Sequence, residues 1–324
     1  MTNTTLAMAS DYFAWAAMVV LALAMVAFSA HLAVTGATRE RRVDRERTPV
    51  AVGAGAPAPA TDDPSVDDVP AGRTPTRRWG VIGLQLTWLA TLAVVGATAL
   101  RGLSVGRAPL GNMYEFTLFT VSFVLVVFSV WSLRKDRLWL GAFVVLPSLV
   151  FLGAAKLAWY TEASQLMPAL NSIWLVIHVV VATLSVALFT IGAAIGVAYL
   201  AKDSSEQGGR ELRWLRALPP ARSLEQLTYG IHIVAFPLWT FTVIAGAIWA
   251  EQAWGRYWGW DPKETWSFVI WAVYAGYLHA RATTGWSTRR STWVALAGFA
   301  CIIINYTVVN LLMTGLHSYS GVSS

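Results

Sequence analysis

Charge is scarce in this sequence. Charged residues make up 13% of its 324 positions, whereas water-soluble domains carry about 25%. Hydrophobic residues make up 56%, and the mean hydropathy is +0.53. This balance excludes an ordinary water-soluble enzyme.

Cysteine is nearly absent, and common metal-binding motifs are missing. The one cysteine, Cys301, lies within an apolar run, where it has no disulfide partner in the chain. We interpret it as a small hydrophobic core residue. No HExxH motif, cysteine cluster or closely spaced carboxylate accompanies the five histidines, which argues against a zinc site.

Long apolar runs, by contrast, are abundant. A bilayer-spanning helix needs about 20 predominantly apolar residues. Eight runs are close to this length, at 12–34, 79–100, 114–133, 138–155, 171–200, 228–250, 266–284 and 292–313. We therefore predict an all-α polytopic membrane protein with about eight transmembrane helices, of which residues 1–34 form the first.

The basic residues indicate the orientation of these helices. If the N-terminus lies outside, 19 of the 24 Lys and Arg residues fall in segments on the inner face and five on the outer face. The positive-inside rule predicts such a bias. We expect both termini to be extracytoplasmic, in the cell membrane, and we interpret the net charge of +6 as a sign of orientation rather than of nucleic-acid binding.

Residues 35–78 differ from the rest of the chain. They are rich in Ala, Pro, Asp and Arg and poor in large apolar residues, a composition that cannot bury enough apolar surface to fold. We predict a disordered cytoplasmic linker, a first helix tethered by it, and a seven-helix core over residues 79–324.

Tryptophan is in excess. The chain contains 17, and nine lie between Trp239 and Trp293. Trp139, Trp159 and Trp249 lie near the ends of predicted spans, where aromatic residues anchor helices at the membrane interface. The external loop at about 250–266 holds more aromatic residues than anchoring needs, namely Trp254, Tyr257, Trp258, Trp260 and Trp266.

We predict that these aromatic side chains form a flat apolar surface for a planar aromatic ligand. Arg256 and Lys263 would meet its peripheral carboxylates. An aromatic patch that only seats a re-entrant loop is the alternative. Asp261 has a local explanation as well, because Asp261-Pro262-Lys263-Glu264 has the pattern of a capping box at the start of a helix.

The five histidines fall into two groups by depth. His178 and His317 lie near the outer face, whereas His279, His232 and His31 lie toward the inner ends of their helices. Two outer imidazoles and an aromatic loop are what a six-coordinate haem iron requires. For each histidine taken singly, a hydrogen bond to a neighbouring helix is the alternative.

Several segments together resemble a known family. WGRYWGWDPKETWSFVIWAVYAGYLHAR is similar to the WWD domain of the haem-handling proteins of cytochrome c biogenesis, of the CcsA/ResC type that is called CcsB in actinobacteria. PLGNMYEF, IHVVVA and GLHSYSG extend the resemblance over most of the seven-helix core, but not over the linker.

The resemblance implies a haem delivery and attachment subunit that works within a cytochrome c synthase, or haem lyase, complex. His178 and His317 would hold external b-type haem, and His279 would bind haem within the membrane, where a ResB/CcsB-type partner supplies the second ligand. Asp261, in the WWD motif, would belong to the haem site. The other implied partners are an apocytochrome c with a CxxCH segment, which this chain lacks, and a membrane or secreted thiol-reducing protein.

Two other functions remain open from the residues alone. A quinone-linked haem b electron carrier would place two histidines on each of two helices at matching depths, and the spread of five histidines over five spans opposes it. A transporter for an amphipathic aromatic solute would show broken helices and paired repeats. The sequence does not assign roles to His31 and His232.

Overall fold

The computed structural model describes residues 2–47, 75–165, 172–210, 212–283 and 285–317. Regular structure in these residues is helical throughout. The main helices are α1 (Thr4–Arg47), α2 (Pro75–Val105), α3 (Met113–Arg134), α4 (Gly141–Leu157), α5 (Ile173–Glu206), α6 (Ala221–Trp254), α7 (Pro262–Ala282), α8 (Thr288–Tyr306) and the short α9 (Val308–Leu312).

The structure confirms an all-helical polytopic membrane protein. Among the described residues, seven helical segments are long and apolar enough to cross a membrane, and α7 is not one of them. The prediction of about eight such helices therefore exceeds the count by one. α7 has 21 residues, which would span about 30 Å, but Trp, Tyr, Gly, His and Arg replace aliphatic residues along it and lower its hydropathy.

Successive long helices run in opposite directions. We call the end of the bundle at which α1 begins the upper end, and the other the lower end. At the upper end, Asn3 N–H donates to Ser104 O at 2.7 Å, which joins the start of α1 to the end of α2. At the lower end, Arg281 pairs with Glu225 at 2.5 Å. Because the direction alternates from helix to helix, α5 and α7 also begin at the upper end, and α6 and α8 end there. The beginning of α5, the α6–α7 loop and α9 therefore lie at the upper end.

The first helix is an integral part of the bundle, although the sequence predicts a tethered helix set apart from the core. Ala14, Leu21 and Phe28 of α1 are fully buried. α1 also continues to Arg47, and α2 begins at Pro75, so both ends of the predicted linker at 35–78 are helical. The rest of that linker lies outside the described residues.

Two of the predicted interface anchors, Trp139 and Trp159, are instead buried in the main core formed by α1 to α5. A second core joins α5 to α8. The predicted span at 292–313 is also interrupted, because the backbone at Thr307 (φ −98°, ψ −70°) separates α8 from α9. The two cores leave a space between them toward the upper end.

Candidate functional site

This space is a cavity walled by α3, α4, α5, α6, α7 and α8. The empty volume within its walls is about 1200 Å³, which includes the part open to the surroundings. Its lining is mostly apolar and aromatic, and the lysine, carboxylate and imidazole side chains among the described lining residues are His178, Lys263, Glu264 and His317. A second pocket beside it shares His178, Lys263 and His317. Apolar walls with a few polar groups are typical of a ligand site.

His178 lies on the first turns of α5 and packs against α6. Its Nδ1 is 2.9 Å from the backbone oxygen of Thr242. Since a carbonyl oxygen only accepts, Nδ1 carries the proton and Nε2 carries the lone pair. A glycine in α6 makes the approach possible, because a Cβ at Gly246 would lie 2.8 Å from Cε1 of this imidazole.

His317 follows α9 and reaches the same cavity from the other end of the sequence. Its Nδ1 is 2.8 Å from Oδ2 of Asp261, and the neighbouring Leu316 N–H donates to Oδ1 at 2.7 Å. The carboxylate accepts, so His317 also carries its lone pair on Nε2. Histidines that bind a metal through one ring nitrogen usually donate the N–H of the other ring nitrogen to an acceptor, as both imidazoles do here.

Trp249 is the aromatic residue that links the two imidazoles. Its ring lies 6.3 Å from that of His178, nearly parallel at 10°, and 6.0 Å from that of His317 at 62°. It is 2% exposed, so the predicted interface anchor is a buried wall of the site.

The α6–α7 loop does not present one flat aromatic surface. Trp258 and Trp260 are perpendicular, with ring centroids 5.7 Å apart, and Trp254 packs edge-on against His317 at 4.8 Å. The cavity lining includes Tyr257 and Trp258 but not Trp254, Trp260 or Trp266. Trp260 is largely exposed and has a left-handed backbone, with φ of 57°, which is rare for a bulky residue; strained residues of this kind cluster at functional sites.

Glu264 organises this loop. Its carboxylate accepts from Gly259 N–H at 2.8 Å and from Asp261 N–H at 3.0 Å, and it pairs with Arg256 at 3.2 Å. The guanidinium lies so close to Gly259 that a Cβ there would overlap it. Arg256, predicted to meet a ligand carboxylate, is therefore held by the protein's own carboxylate.

Lys263 points into the bundle. Its Nζ donates to the backbone oxygen of Asn305 at 3.1 Å and to Oδ1 of Asn310 at 3.0 Å. It therefore meets the carbonyl end of α8 at the point where the helix breaks, where a cation is favourable. Because it lines both the cavity and the neighbouring pocket, its amine faces the same space as His178 and His317.

The structure confirms the predicted role of Asp261 as a helix cap. Its carboxylate accepts from Lys263 N–H at 3.2 Å. In turn, the side chain of Glu264 accepts from Asp261 N–H, which completes the capping box. Burial acts to raise the pKa of Asp261, but the hydrogen bonds from His317 and Leu316 outweigh it and hold that pKa below its ordinary value.

The other three histidines lie outside this cavity's lining. His279 is exposed on the last turns of α7. His232 is fully buried among Phe189, Tyr274 and Tyr277, with Nδ1 2.6 Å from Thr228 O. His31 lies in the lower half of α1, with Nδ1 3.4 Å from Thr35 Oγ1. Within the described residues no group of three or more His, Cys, Asp or Glu side chains suits a metal ion.

Four contributors to the site are missed by reading the sequence. Trp249 is mistaken for an interface anchor, and Thr242 acts through its backbone oxygen. Gly246 and Gly315 make room for His178 and Asp261 respectively. The sequence offers one signal for the two glycines. Gly246 in AGAIW and Gly315 in TGLH both lie within segments that carry the family resemblance.

Comparisons with known proteins agree on one family. The family described as "Cytochrome C assembly protein" matches residues 110–317. The "Cytochrome c biogenesis protein CcsA" of Guillardia theta is 35% identical over 257 residues, which cover 74% of this chain and 85% of that protein. Its namesake in Parasynechococcus marenigrum (strain WH8102) is 34% identical, over 75% of this chain and 87% of that protein.

A solved structure, "Cytochrome c Heme Lyase CcmF", has a similar fold, with a TM-score of 0.62 at 15% identity. The match covers 94% of this chain and 47% of that one, so this chain spans about half the length of that protein. The chain belongs to the cytochrome c assembly protein family and serves in the maturation of c-type cytochromes.

Proposed function

We propose that the chain binds haem at the upper end of the bundle and presents it to apocytochrome c. His178 and His317 would hold the haem iron, and Trp249, Tyr257 and Trp258 would form walls of the site. The observation that supports this most is that two histidines 139 positions apart in the numbering line one apolar cavity, each with its Nδ1 toward an acceptor.

The donor set suits an iron porphyrin. Two neutral imidazoles with the lone pair on Nε2 are the ligands of low-spin haem iron, and the aromatic lining gives apolar contact to a planar macrocycle. The Lys263 amine lines the same cavity, and a haem carboxylate beside it would favour its charged form. Arg256 lies at the loop surface and is already paired with Glu264. Its role in this proposal is to stabilise the conformation of the loop.

Haem brings two vinyl groups, and the apocytochrome brings the two thiols of its CxxCH segment. Each thiol adds across a vinyl double bond, so that a carbon–sulfur bond forms and the thiol hydrogen ends on the vinyl group. The chain contributes orientation, because holding the vinyl carbons at the cavity mouth converts a bimolecular encounter into an oriented one. A separate protein keeps the acceptor thiols reduced.

The upper end faces the extracytoplasmic side of the cell membrane in this proposal, since the basic residues concentrate at the lower end. His279 takes part at an earlier stage. Its exposed position on α7 suits a ligand that is completed by a ResB/CcsB-type partner, which shares haem with His279 inside the membrane.

The test uses the full chain purified with its ResB-type partner from haem-replete cells. We expect His178→Ala and His317→Ala each to convert low-spin haem at the upper site into a high-spin form, to reduce haem content and to abolish cytochrome c maturation. Added imidazole would restore the low-spin spectrum, because it fills the space that each removed side chain leaves. His31→Gln serves as the control, since His31 lies in the lower half of α1.

Unchanged haem spectra and unchanged maturation in both variants would contradict the proposal. A second set of variants, Trp249→Leu and Trp258→Leu, keeps the apolar character and removes the aromatic rings. We expect haem retention to fall in both, and normal retention would reduce these residues to structural packing.

A further inference from the structure

The carboxylate of Asp261 does more than cap a helix. An N-cap needs one side-chain oxygen, which Ser, Thr or Asn supplies equally well. Here Oδ2 accepts from both Lys263 N–H and His317 Nδ1–H, and Oδ1 accepts from Leu316 N–H. Asp261 is 8% exposed, so these bonds lie in a largely dry environment where charge-assisted hydrogen bonds are strong.

The chain after α9 is adapted to this contact. A Cβ at Gly315 would lie 2.3 Å from Oδ1 of Asp261, so only glycine allows the backbone to pass this close. The carboxylate therefore holds the segment at two points, the Leu316 amide and the His317 ring. The start of α7 is fixed at the same time by the capping box, which ties the orientation of the imidazole to a rigid helix end.

The two imidazoles of the cavity differ in their acceptors. His178 donates to a neutral backbone oxygen, at Thr242, whereas His317 donates to a carboxylate. A carboxylate acceptor raises the basicity of the imidazole and strengthens its bond to a metal. A stronger imidazole donor favours ferric over ferrous iron, since axial ligand strength and its hydrogen bonding set the reduction potential of haem.

We propose that Asp261 is a positioning residue that holds His317 with Nδ1 protonated and Nε2 toward the cavity, and that lowers the reduction potential of the bound haem. This inference rests on the proposed function. Asp261 itself is not among the residues that line the cavity. It acts through His317, and the WWD loop and the C-terminal histidine form one unit through this carboxylate.

The test compares Asp261→Asn with Asp261→Ser in the full chain, purified with its partner and loaded with haem. Asn keeps the cap at Lys263 N–H with its single acceptor oxygen, so it loses the acceptor for Leu316 N–H, and its neutral amide does not hold the Nδ1–H tautomer as a carboxylate does. Ser keeps the cap and is too short to reach His317. We expect haem to dissociate about 10- to 100-fold faster from both variants and its midpoint potential to shift upward in both.

Glu251→Gln is the matched control, because it removes an exposed carboxylate from the same end of α6 without touching His317. It should leave both the potential and the dissociation rate unchanged. Thermal midpoints near that of the wild type would show that the Asn and Ser variants keep the fold.

The outcomes separate the two proposals. If His178→Ala and His317→Ala change the spectrum of the wild-type haem but neither Asp261 variant shifts its potential, Asp261 is only a helix cap and the inference is wrong. If the haem spectra of both histidine variants equal that of the wild type, the proposed haem site is wrong, and so is the proposed role of Asp261.

Discussion

The position of His178 depends on a residue without a side chain. Gly246 lies where the imidazole crosses α6, and an added Cβ would be 2.8 Å from Cε1 and 2.9 Å from Nδ1. Contacts below about 3 Å force the ring away from the Thr242 oxygen, and a displacement of about 1 Å is enough to impair a positioned group.

We therefore expect Gly246→Ala to lower haem retention and cytochrome c maturation while the fold survives. Gly230→Ala is the matched control, because Gly230 lies in the same helix and has open space around its Cα. Alanine there should be neutral or slightly stabilising, by up to about 1 kcal/mol. Haem spectra and thermal midpoints of the two variants would check this, and equal spectra would contradict it.

Some of the site is predictable at the scale of single residues. His178 and His317 can be singled out because an ionisable residue near the end of an apolar run is costly unless it has a task. The cap at Asp261 follows from local spacing. The bond between Asp261 and His317 does not, since no local pattern relates positions that only the packing of α7, α8 and α9 brings together.

Trp249 shows the limit of composition as a guide. A tryptophan near a helix end resembles an interface anchor whether it faces lipid or the interior. In the structure Trp249 is 2% exposed and lies against two imidazoles. The packing of the neighbouring helices decides that this side chain faces the interior.

At the scale of elements, the α6–α7 loop is held by one buried carboxylate. Glu264 bonds two backbone N–H groups and Arg256, so its removal leaves two donors without this acceptor at about 1–3 kcal/mol each. We expect Glu264→Ala to loosen residues 255–261 and to expose the bond after Arg256 to trypsin.

Limited proteolysis of the purified full chain measures this directly. Cleavage after Arg256 should be at least several-fold faster in Glu264→Ala than in the wild type, with Glu251→Ala as the control on the preceding helix. Equal cleavage rates in all three proteins would show that Glu264 does not organise the loop.

The upper end of α1 is fastened by another carboxylate. Asp11 accepts from Lys156 at 2.6 Å and from Tyr160 at 2.6 Å, which joins α1 to the end of α4. We expect Asp11→Asn to lower the stability by about 1–3 kcal/mol, because Lys156, nearly buried, loses its counter-ion.

The control for Asp11→Asn is Asp136→Asn, which breaks an exposed pair with Arg77 at 3.8 Å and should cost less than about 1 kcal/mol. Thermal unfolding of the purified chains measures the difference. An equal effect of the two substitutions would mean that the bonds of Asp11 to Lys156 and Tyr160 do not hold α1 to the end of α4.

The elements themselves are largely predictable, because apolar runs of membrane length leave few alternatives to helices. Their ends are less so. α1 continues past its apolar run to Arg47 and α8 breaks at Thr307, since charged residues can extend a helix beyond the membrane and since Lys263 meets the carbonyl that the break exposes.

At the scale of the whole molecule, the basic residues differ in their surroundings as well as in number. The five at the upper end all contact groups of the protein. Arg101 and Arg107 bond Glu115, Lys156 bonds Asp11, Arg256 bonds Glu264, and Lys263 bonds Asn305 and Asn310. At the lower end, exposed cations include Arg78, Arg134, Lys135, Arg222 and Arg290.

Some cations at the lower end are paired too, among them Lys202, Arg281 and Arg289, so the asymmetry rests on the number of Lys and Arg residues at each end rather than on their pairing. The positive-inside rule supports our proposal that the lower end is cytoplasmic and the cavity external. In a Cys301→Ser background, Glu162→Cys at the upper end and Gln207→Cys at the lower end each introduce one exposed thiol. A membrane-impermeant maleimide added to intact cells should label Glu162→Cys readily, and should label Gln207→Cys only after the cells are opened. The reverse pattern would place the two histidines of the cavity on the cytoplasmic side, where an extracytoplasmic apocytochrome cannot reach them.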